Sequence, residues 1–197
     1  MLYWIGYLIM ALVDGIYLRT EYINRKILPV SSSYIIASNH ISNLDPFVLG
    51  MCQRRRFAFL AKEELFEKKW LGFILRNFGA FPIKRDAADF GAIRETLRRI
   101  KLQQPTVLFP EGTRGAGTRE KKINPGVGMI AVKSGVPVVP VFVQNTDKAL
   151  PNGAKWFKRH KVIVTIGEPI GFKSRKDYQQ IALEIMAKIE ELAKSQK

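Results

Sequence analysis

The amino-acid sequence predicts an α/β fold in which helices flank a mixed, largely parallel sheet. Short apolar runs with the length of buried strands alternate with amphipathic segments of helical periodicity, a pattern typical of helices on both faces of a sheet. The alternation starts after Pro29, and a strongly apolar stretch from Met1 to Leu18 precedes it. We therefore expect a membrane-embedded helical segment over residues 1–29 and one α/β domain over residues 30–197.

The N-terminal stretch is close to the lower limit for a membrane-spanning helix, which needs about 20 apolar residues, and Asp14 interrupts it. It has neither a basic leader region nor a small-residue cleavage site, which argues against a secretory signal. Arg19, Arg25 and Lys26 follow it, so the positive-inside tendency predicts the rest of the chain on the cytoplasmic face of the cell's inner membrane. A single span and an interfacial helix both remain possible, and the length and Asp14 favour a helix embedded in one leaflet.

Six apolar runs predict the strands of the domain, at residues 34–37, 56–61, 80–83, 106–109, 136–142 and 161–166. Helical stripes lie between and after them, most clearly over residues 90–100 and 178–192. Another helix is expected from Pro46, because proline suits the first position of a helix. Ser174 and Asp177 resemble a capping box at the start of the last helix.

The charge of the chain predicts an anionic partner. Lys and Arg number 32 against 17 Asp and Glu, a formal net charge of +15. The sequence has none of the zinc-finger, basic-zipper or aromatic RNA-binding patterns, so we expect an anionic membrane surface and no nucleic acid. Cys52 is the only cysteine, and with only two histidines the composition predicts neither an internal disulfide nor a metal site.

A polar stretch, residues 38–46 with the sequence SNHISNLDP, lies between the first predicted strand of the domain and the helix at Pro46. Open α/β sheets keep their ligand crevices at such strand ends. His40 and Asp45 can meet only if the chain bends between them, and Ser42 with Asn43 supplies turn-forming residues. A histidine held by a carboxylate is suited to act as a general base, although Asp45 could equally cap the helix.

This stretch resembles the first motif of the glycerolipid acyltransferase family, Asn-His-x4-Asp. Three later stretches resemble the other motifs of that family in the same order, at residues 79–85 (GAFPIKR), 109–114 (FPEGTR) and 136–141 (VPVVPV). Together the motifs extend from residue 39 to residue 141. Gly115 follows the third motif, where the lysophosphatidate branch of the family most often has serine, so the exact acceptor is left open.

The resemblance implies transfer of a fatty acyl group from acyl-CoA or acyl carrier protein to the free hydroxyl of 1-acyl-sn-glycerol 3-phosphate. The product would be phosphatidic acid, an intermediate of phospholipid synthesis, and no cofactor is implied. His40 would take the proton of the acceptor hydroxyl, and Asp45 would orient the imidazole ring. Because that hydroxyl attacks directly, no protein nucleophile is needed, and Ser38 and Ser42 remain the alternative candidates for one.

The same resemblance implies residues that bind the acceptor. Arg85 and Arg114 would grip its phosphate with their guanidinium groups, and Glu111 would accept hydrogen bonds from the glycerol. The remaining implied residues add charge or let the backbone approach closely, and they are Lys84, Gly112 and Thr113.

Two other functions are consistent with the sequence. One is an acyltransferase for another acceptor, such as glycerol 3-phosphate, a lyso-aminolipid or another lysophospholipid. The other is a non-catalytic, basic membrane-binding protein. The amphiphilic segment at residues 62–75 is open to two interpretations, an ordinary packed helix or a membrane-facing lip where an acyl chain enters.

Overall fold

Seven strands form one sheet in the computed structural model, which describes residues 2–83, 90–112, 123–173 and 176–195. Their order across the sheet is β1-β7-β6-β2-β5-β3-β4, and all neighbours pair in parallel except β6 and β7. The predicted α/β fold with a mixed, largely parallel sheet is confirmed. The strands are β1 (Glu21–Ile23), β2 (Ile35–Ser38), β3 (Ala58–Lys62), β4 (Ala80–Ile83), β5 (Thr106–Leu108), β6 (Val138–Gln144) and β7 (Ile163–Ile166).

Helices cover both faces of the sheet. They are α1 (Leu2–Val13), α2 (Asp45–Gly50), α3 (Lys69–Asn77), α4 (Phe90–Lys101), α5 (Gly126–Ser134), α6 (Thr146–Ala149) and α7 (Tyr178–Lys194). We call the face covered by α4, α5 and α7 the packed face, and the face covered by α1, α2 and α3 the cavity face.

The packed face owes its tight contacts to small and branched side chains. The apolar stripe of α7 is buried against β2 and β6, through Ile181, Ile185 and Ile189. A Cβ on Gly128 of α5 would lie 2.1 Å from the Tyr178 carbonyl oxygen, so only glycine allows this contact between α5 and α7. Asp177 caps α7 by accepting a hydrogen bond from the Gln180 amide at 2.9 Å, and Ser174, the other half of the predicted capping box, lies outside the described residues.

The sheet begins earlier in the chain than the sequence predicted. Residues 21–23, expected to belong to the N-terminal helical segment, form β1 and pair in parallel with β7. Arg19 and Asn24 have left-handed backbone conformations, with φ of 47° and 61°, and turn the chain at either end of this strand. A strand of three residues between two turns leaves no periodic pattern, which is why the sequence did not reveal it.

The first helix ends in a π-helical turn, Asp14–Leu18. The Asp14 carboxylate accepts hydrogen bonds from the backbone amide and the hydroxyl of Thr20, so this acid closes the end of an otherwise apolar segment. The carbonyls of Tyr17 and Leu18 then accept hydrogen bonds from His160 and Val162 next to β7. None of the helices in the described part of the chain combines the length and the apolar character that a membrane crossing requires.

Candidate active site

His40 and Asp45 meet at the carboxyl end of β2. The chain bends between them as predicted, and His40 Nδ1 lies 2.8 Å from Asp45 Oδ2. Asp45 is fully buried and His40 is 8% exposed. Because a carboxylate can only accept here, Nδ1 carries the proton and the lone pair of the neutral ring is on Nε2.

The Asp45 carboxylate is held by the loop that it closes. Its Oδ2 atom also accepts hydrogen bonds from the backbone amides of Ile41 and Ser42, at 2.7 and 2.8 Å. Its Oδ1 atom accepts one from the Thr146 hydroxyl at 2.5 Å. With four donors around a buried carboxylate, the ionised form is solvated by the protein and stays fixed beside the histidine.

The interpretation of Asp45 as the helix cap is wrong. Leu44 occupies the cap position of α2 without a side-chain hydrogen bond, and Asp45 is the first helical residue, with Pro46 following it. The Asp45 side chain turns back toward residues 40–42 instead of forward over the helix. A carboxylate before proline suits both arrangements, and here the donors of residues 40–42 and of Thr146 hold the side chain in the second one.

Asn39 fixes the end of the strand that carries His40. Its side-chain amide donates to the Val143 carbonyl at 2.9 Å, and its side-chain oxygen accepts from the Val143 amide at 2.8 Å. These two bonds reproduce a backbone pair and extend the contact between β2 and β6 by one residue. The asparagine of the first motif therefore positions the loop rather than facing the histidine.

Phe109 supports the other side of the imidazole. The two rings are stacked with their centroids 4.0 Å apart and an interplanar angle of 17°. Phe109 follows β5, which is the parallel neighbour of β2, so the third motif meets the first across adjacent strand ends. The contacts of Thr146 with Asp45 and of Phe109 with His40 were not predicted from the sequence, because both residues act across the sheet.

Neither alternative serine is hydrogen-bonded to His40. Ser42 donates its hydroxyl to the Leu150 carbonyl and accepts from the Leu44 amide, both at 3.3 Å. Ser38 is fully buried and donates to the Asn39 side-chain oxygen at 3.3 Å. Both hydroxyls shape the loop.

The third motif forms a turn beside the histidine. The Gly112 amide donates to the Phe109 carbonyl at 3.0 Å, and Gly112 has φ +67°, a conformation that favours glycine. Because this amide is used by the turn, it is not a free donor for an oxyanion. Glu111 is 9% exposed and lies in the same turn. The other residues predicted to bind the acceptor, Lys84, Arg85, Thr113 and Arg114, lie outside the described residues.

An apolar cavity of about 470 Å³ extends from His40 along the cavity face. Its side walls come from α2, β3 and the end of α3, through Phe47, Phe59, Leu75 and Phe78. Its roof is α1, which contributes Tyr3, Gly6, Tyr7 and Met10 at helical spacing. Ala80, at the start of β4, also lines the cavity, which therefore extends from His40 toward the amino ends of the strands.

A family profile described as Acyltransferase matches residues 19–144. The chain belongs to the acyltransferase family. It is 30% identical over 148 residues to a 1-acyl-sn-glycerol-3-phosphate acyltransferase of Bacillus subtilis, covering 75% of this chain and 71% of that one. It is 31% identical over 139 residues to the chloroplastic 1-acyl-sn-glycerol-3-phosphate acyltransferase BAT2 of Brassica napus, of whose length it spans 40%.

A solved structure is also similar. The crystal structure of the 1-acyl-sn-glycerophosphate acyltransferase PlsC from Thermotoga maritima has 29% sequence identity to this chain and superposes with a TM-score of 0.69. The match covers 88% of this chain and 72% of the Thermotoga protein. The predicted membership of this chain in the acyltransferase family is thus confirmed, and the similarity covers most of its length.

The acyltransferase match contains the loop from Asn39 to Asp45 and the third-motif turn. It ends at Gln144, two residues before Thr146. One of the four donors to the Asp45 carboxylate therefore lies just beyond the matched region, in α6.

Proposed function

We propose that this acyltransferase moves a fatty acyl group from a thioester to the free hydroxyl of 1-acyl-sn-glycerol 3-phosphate, giving phosphatidic acid. The observation that carries the proposal is the His40–Asp45 pair at the mouth of an apolar cavity. Two relatives and the similar solved structure bear names that state this activity. The donor is acyl-CoA or acyl carrier protein.

In the proposed reaction, His40 Nε2 takes the proton of the acceptor hydroxyl as its oxygen attacks the thioester carbonyl carbon. The tetrahedral intermediate then collapses, the carbon–sulfur bond breaks, and the imidazolium returns the proton to the departing thiolate. Asp45 stabilises the imidazolium between these steps and keeps the ring in the correct tautomer. Phe109 stacks on the ring and limits its rotation.

The acyl chain of the substrate occupies the cavity in this proposal. The volume of about 470 Å³ falls within the range of about 300–1,000 Å³ usual for small-molecule sites. Its walls are aromatic and aliphatic, so they bind a hydrocarbon chain by burial rather than by hydrogen bonds. A chain bound along the strands presents its carboxyl end to His40.

The acceptor phosphate is bound by the charged residues of the second and third motifs. In this proposal Arg85 and Arg114 hold the phosphate with paired hydrogen bonds and Lys84 adds charge. Glu111 accepts hydrogen bonds from the glycerol, while Gly112 and Thr113 let the backbone approach it. These roles rest on the position of each residue in the family motifs, and the turn at Phe109–Gly112 beside His40 supports them.

Residues 1–29 associate the enzyme with a membrane in this proposal, and residues 30–197 supply the α/β domain, to which β1 adds a strand. The support is the outer side of α1, where Ile5, Leu8, Ile9 and Leu12 are 46–66% exposed. Trp70 and Phe73 of α3 are exposed in the same way. The helix is embedded in the cytoplasmic leaflet of the inner membrane, with anionic headgroups attracted by the net charge of +15.

Lipid-product measurements with purified protein test the function. Lysophosphatidate, glycerol 3-phosphate and a lysophospholipid without a phosphate monoester are each offered with acyl-CoA and with acyl carrier protein. Phosphatidate formed from lysophosphatidate by the wild type, and not by His40→Ala, is the expected result. Preference for another acceptor would reassign the substrate, and vesicle binding without product from either donor would indicate a non-catalytic membrane protein.

A further inference from the structure

Five arginine side chains line a second, open cavity of about 530 Å³ at the amino ends of β3, β4 and β5. They come from the loop before β3, the end of α3 and the end of α4, and they are Arg55, Arg56, Arg76, Arg98 and Arg99. His40 lies at the opposite, carboxyl ends of the strands. Strands of four or five residues separate the two ends by about 13–17 Å, so this arginine pocket is not part of the active site.

The arginine pocket is strongly positive. Among the residues that the structure describes, Glu95 supplies the carboxylate that pairs with these arginines, with Arg98 at 2.7 Å and with Arg99 at 2.8 Å. Five guanidinium groups against one carboxylate leave four positive charges around one opening. Hydrogen bonds from Arg98 and then Arg99 lower the pKa of Glu95 to about 2. This acid therefore stays ionised at physiological pH and offsets one of the five positive charges.

Two of the arginines build the wall. Arg55 donates to the backbone carbonyls of Ser32 and Gln103, both at 2.9 Å, and Arg99 donates to the Gly79 carbonyl at 3.2 Å. Such bonds fix the guanidinium planes before any ligand arrives.

Arg76 and Arg56 face outward and offer N–H donors, whereas Arg98 uses two of its nitrogens on the Glu95 carboxylate. Arg76 is exposed, lies over the Phe66 ring at 5.0 Å, and has no hydrogen-bond partner within the described residues. Arg56 lies over the Tyr3 ring at 5.2 Å and donates one bond, to the Asn77 carbonyl at 3.1 Å. Aromatic rings hold these side chains in place and leave their N–H groups free to bind an oxyanion.

The pocket borders the exposed apolar surface of α1 and α3. Tyr3 joins the two, because its hydroxyl donates to the Arg55 carbonyl at 2.7 Å while its ring packs edge-on against Trp4. On the α3 side, Arg76 comes shortly after the exposed Phe73. A site for a soluble anion needs no apolar border, whereas a phospholipid presents a phosphate directly beside hydrocarbon.

We propose that the arginine pocket binds the phosphate of an anionic phospholipid headgroup, with the acyl chains of that lipid lying against the apolar surface of α1 and α3. The site lies at the opposite ends of the strands from His40 and does not depend on the proposed reaction. It would anchor the enzyme to the bilayer by a specific headgroup contact, in addition to the general electrostatic attraction between the positively charged protein and anionic lipids.

Vesicle binding by the full chain tests this proposal. Arg76→Gln with Arg98→Gln removes two exposed donors of the pocket without removing the bonds of Arg55 and Arg99 to the backbone. Arg54→Gln with Arg94→Gln is the control, because it removes the same charge from exposed residues of the loop before β3 and of α4 that lie outside the pocket. Binding is measured on vesicles of phosphatidylcholine mixed with phosphatidylglycerol, and on phosphatidylcholine alone.

We expect the pocket variant to lose at least about tenfold more affinity for the phosphatidylglycerol vesicles than the control variant, with the difference persisting in high salt. Equal losses in the two variants would reduce the effect to net charge and overturn the proposal. Inorganic phosphate is the second probe. If it binds the wild type as tightly as the vesicles do and displaces the protein from them, the site belongs to a free anion and not to a lipid.

Should the pocket variant melt at a lower temperature, Arg76→Lys with Arg98→Lys replaces it, since lysine keeps the charge but lacks the planar fork. A loss of affinity in that variant, relative to Arg54→Lys with Arg94→Lys, supports the headgroup contact. Wild-type affinity would contradict it.

Discussion

The two faces of the sheet are both covered by helices, but the helices meet the sheet in different ways. On the packed face, α7 places fully buried isoleucines directly on β2 and β6. On the cavity face, α1 spans a cavity instead of filling it and leaves its outer side apolar as well. The difference indicates that one face contributes buried contacts to the fold while the other leaves an apolar space beside His40.

The largest expected effect comes from removing the group at the mouth of the cavity. His40→Ala should lower the turnover rate by roughly 10²–10⁴-fold, the usual scale for loss of a general base, because the acceptor hydroxyl then keeps its proton. Steady-state kinetics and a thermal melt measure the two properties together. Wild-type activity in His40→Ala would refute the mechanism.

On the packed face the expected effect is on stability. Ile185→Ala should lower the free energy of unfolding by about 2–5 kcal/mol, because it leaves a cavity beneath α7 at a fully buried position. Denaturant unfolding measures this value. The activity per folded molecule should stay close to the wild type, and a selective loss of activity at constant stability would show that the packed face contributes to the site.

Asp45→Asn should lower both the turnover rate and the stability, because Asp45 orients His40 and also joins the active-site loop to α6. An amide nitrogen in place of one carboxylate oxygen would face backbone amides or the Thr146 hydroxyl, and each buried donor left unpaired costs about 1–3 kcal/mol. Turnover should fall, though less than in His40→Ala. Thr146→Val separates the structural role of Asp45 from its role beside His40. It removes the donor to Asp45 Oδ1 and leaves the contact between His40 and Asp45 intact.

A smaller effect is expected at Ala80, which lines the cavity at the start of β4. Ala80→Leu should shift the preference toward shorter acyl chains by about tenfold, because the added carbons occupy part of the space proposed for the chain. Competition between acyl donors of different length measures it. The matched change on the packed face, Ala182→Leu, should cost stability by overpacking and leave the chain-length preference unaltered.

The smallest effect is expected at Cys52, which is buried on the cavity face. Burial raises the pKa of its thiol to about 12, so the thiol stays protonated and unreactive at neutral pH. Cys52→Ala should keep full activity. Iodoacetamide should modify the native protein at pH 8 far more slowly than the denatured protein, and rapid labelling of the native protein would show that this part of the cavity face opens readily.

The sequence predicted those features that depend on neighbouring residues. β4 was predicted with its observed bounds, β2 and β5 to within one residue at each end, and α4 from its first residue. The contact between His40 and Asp45 was also predicted, because Ser42 and Asn43 supply a local bend between two chemically complementary groups.

What the sequence did not reveal depends on contacts across the sheet. Thr146 reaches Asp45 from the end of β6, and Phe109 reaches His40 from the end of β5, and neither is adjacent in sequence to its partner. The role of α1 as the roof of a cavity was missed for a different reason. A helix that is apolar on nearly all sides gives the same pattern whether its inner side contacts protein, ligand or lipid.

The proposed membrane position of α1 would also determine which concentration governs the reaction rate. One side of this helix lines the cavity through Tyr7 and Met10, and the other exposes Leu8 and Leu12. If that side rests in a bilayer, only one helix diameter, about 10–12 Å, separates a bound acyl chain from the surrounding lipid. The enzyme would then sample acceptor by lateral diffusion, and adding inert lipid at constant bulk acceptor would slow it by surface dilution.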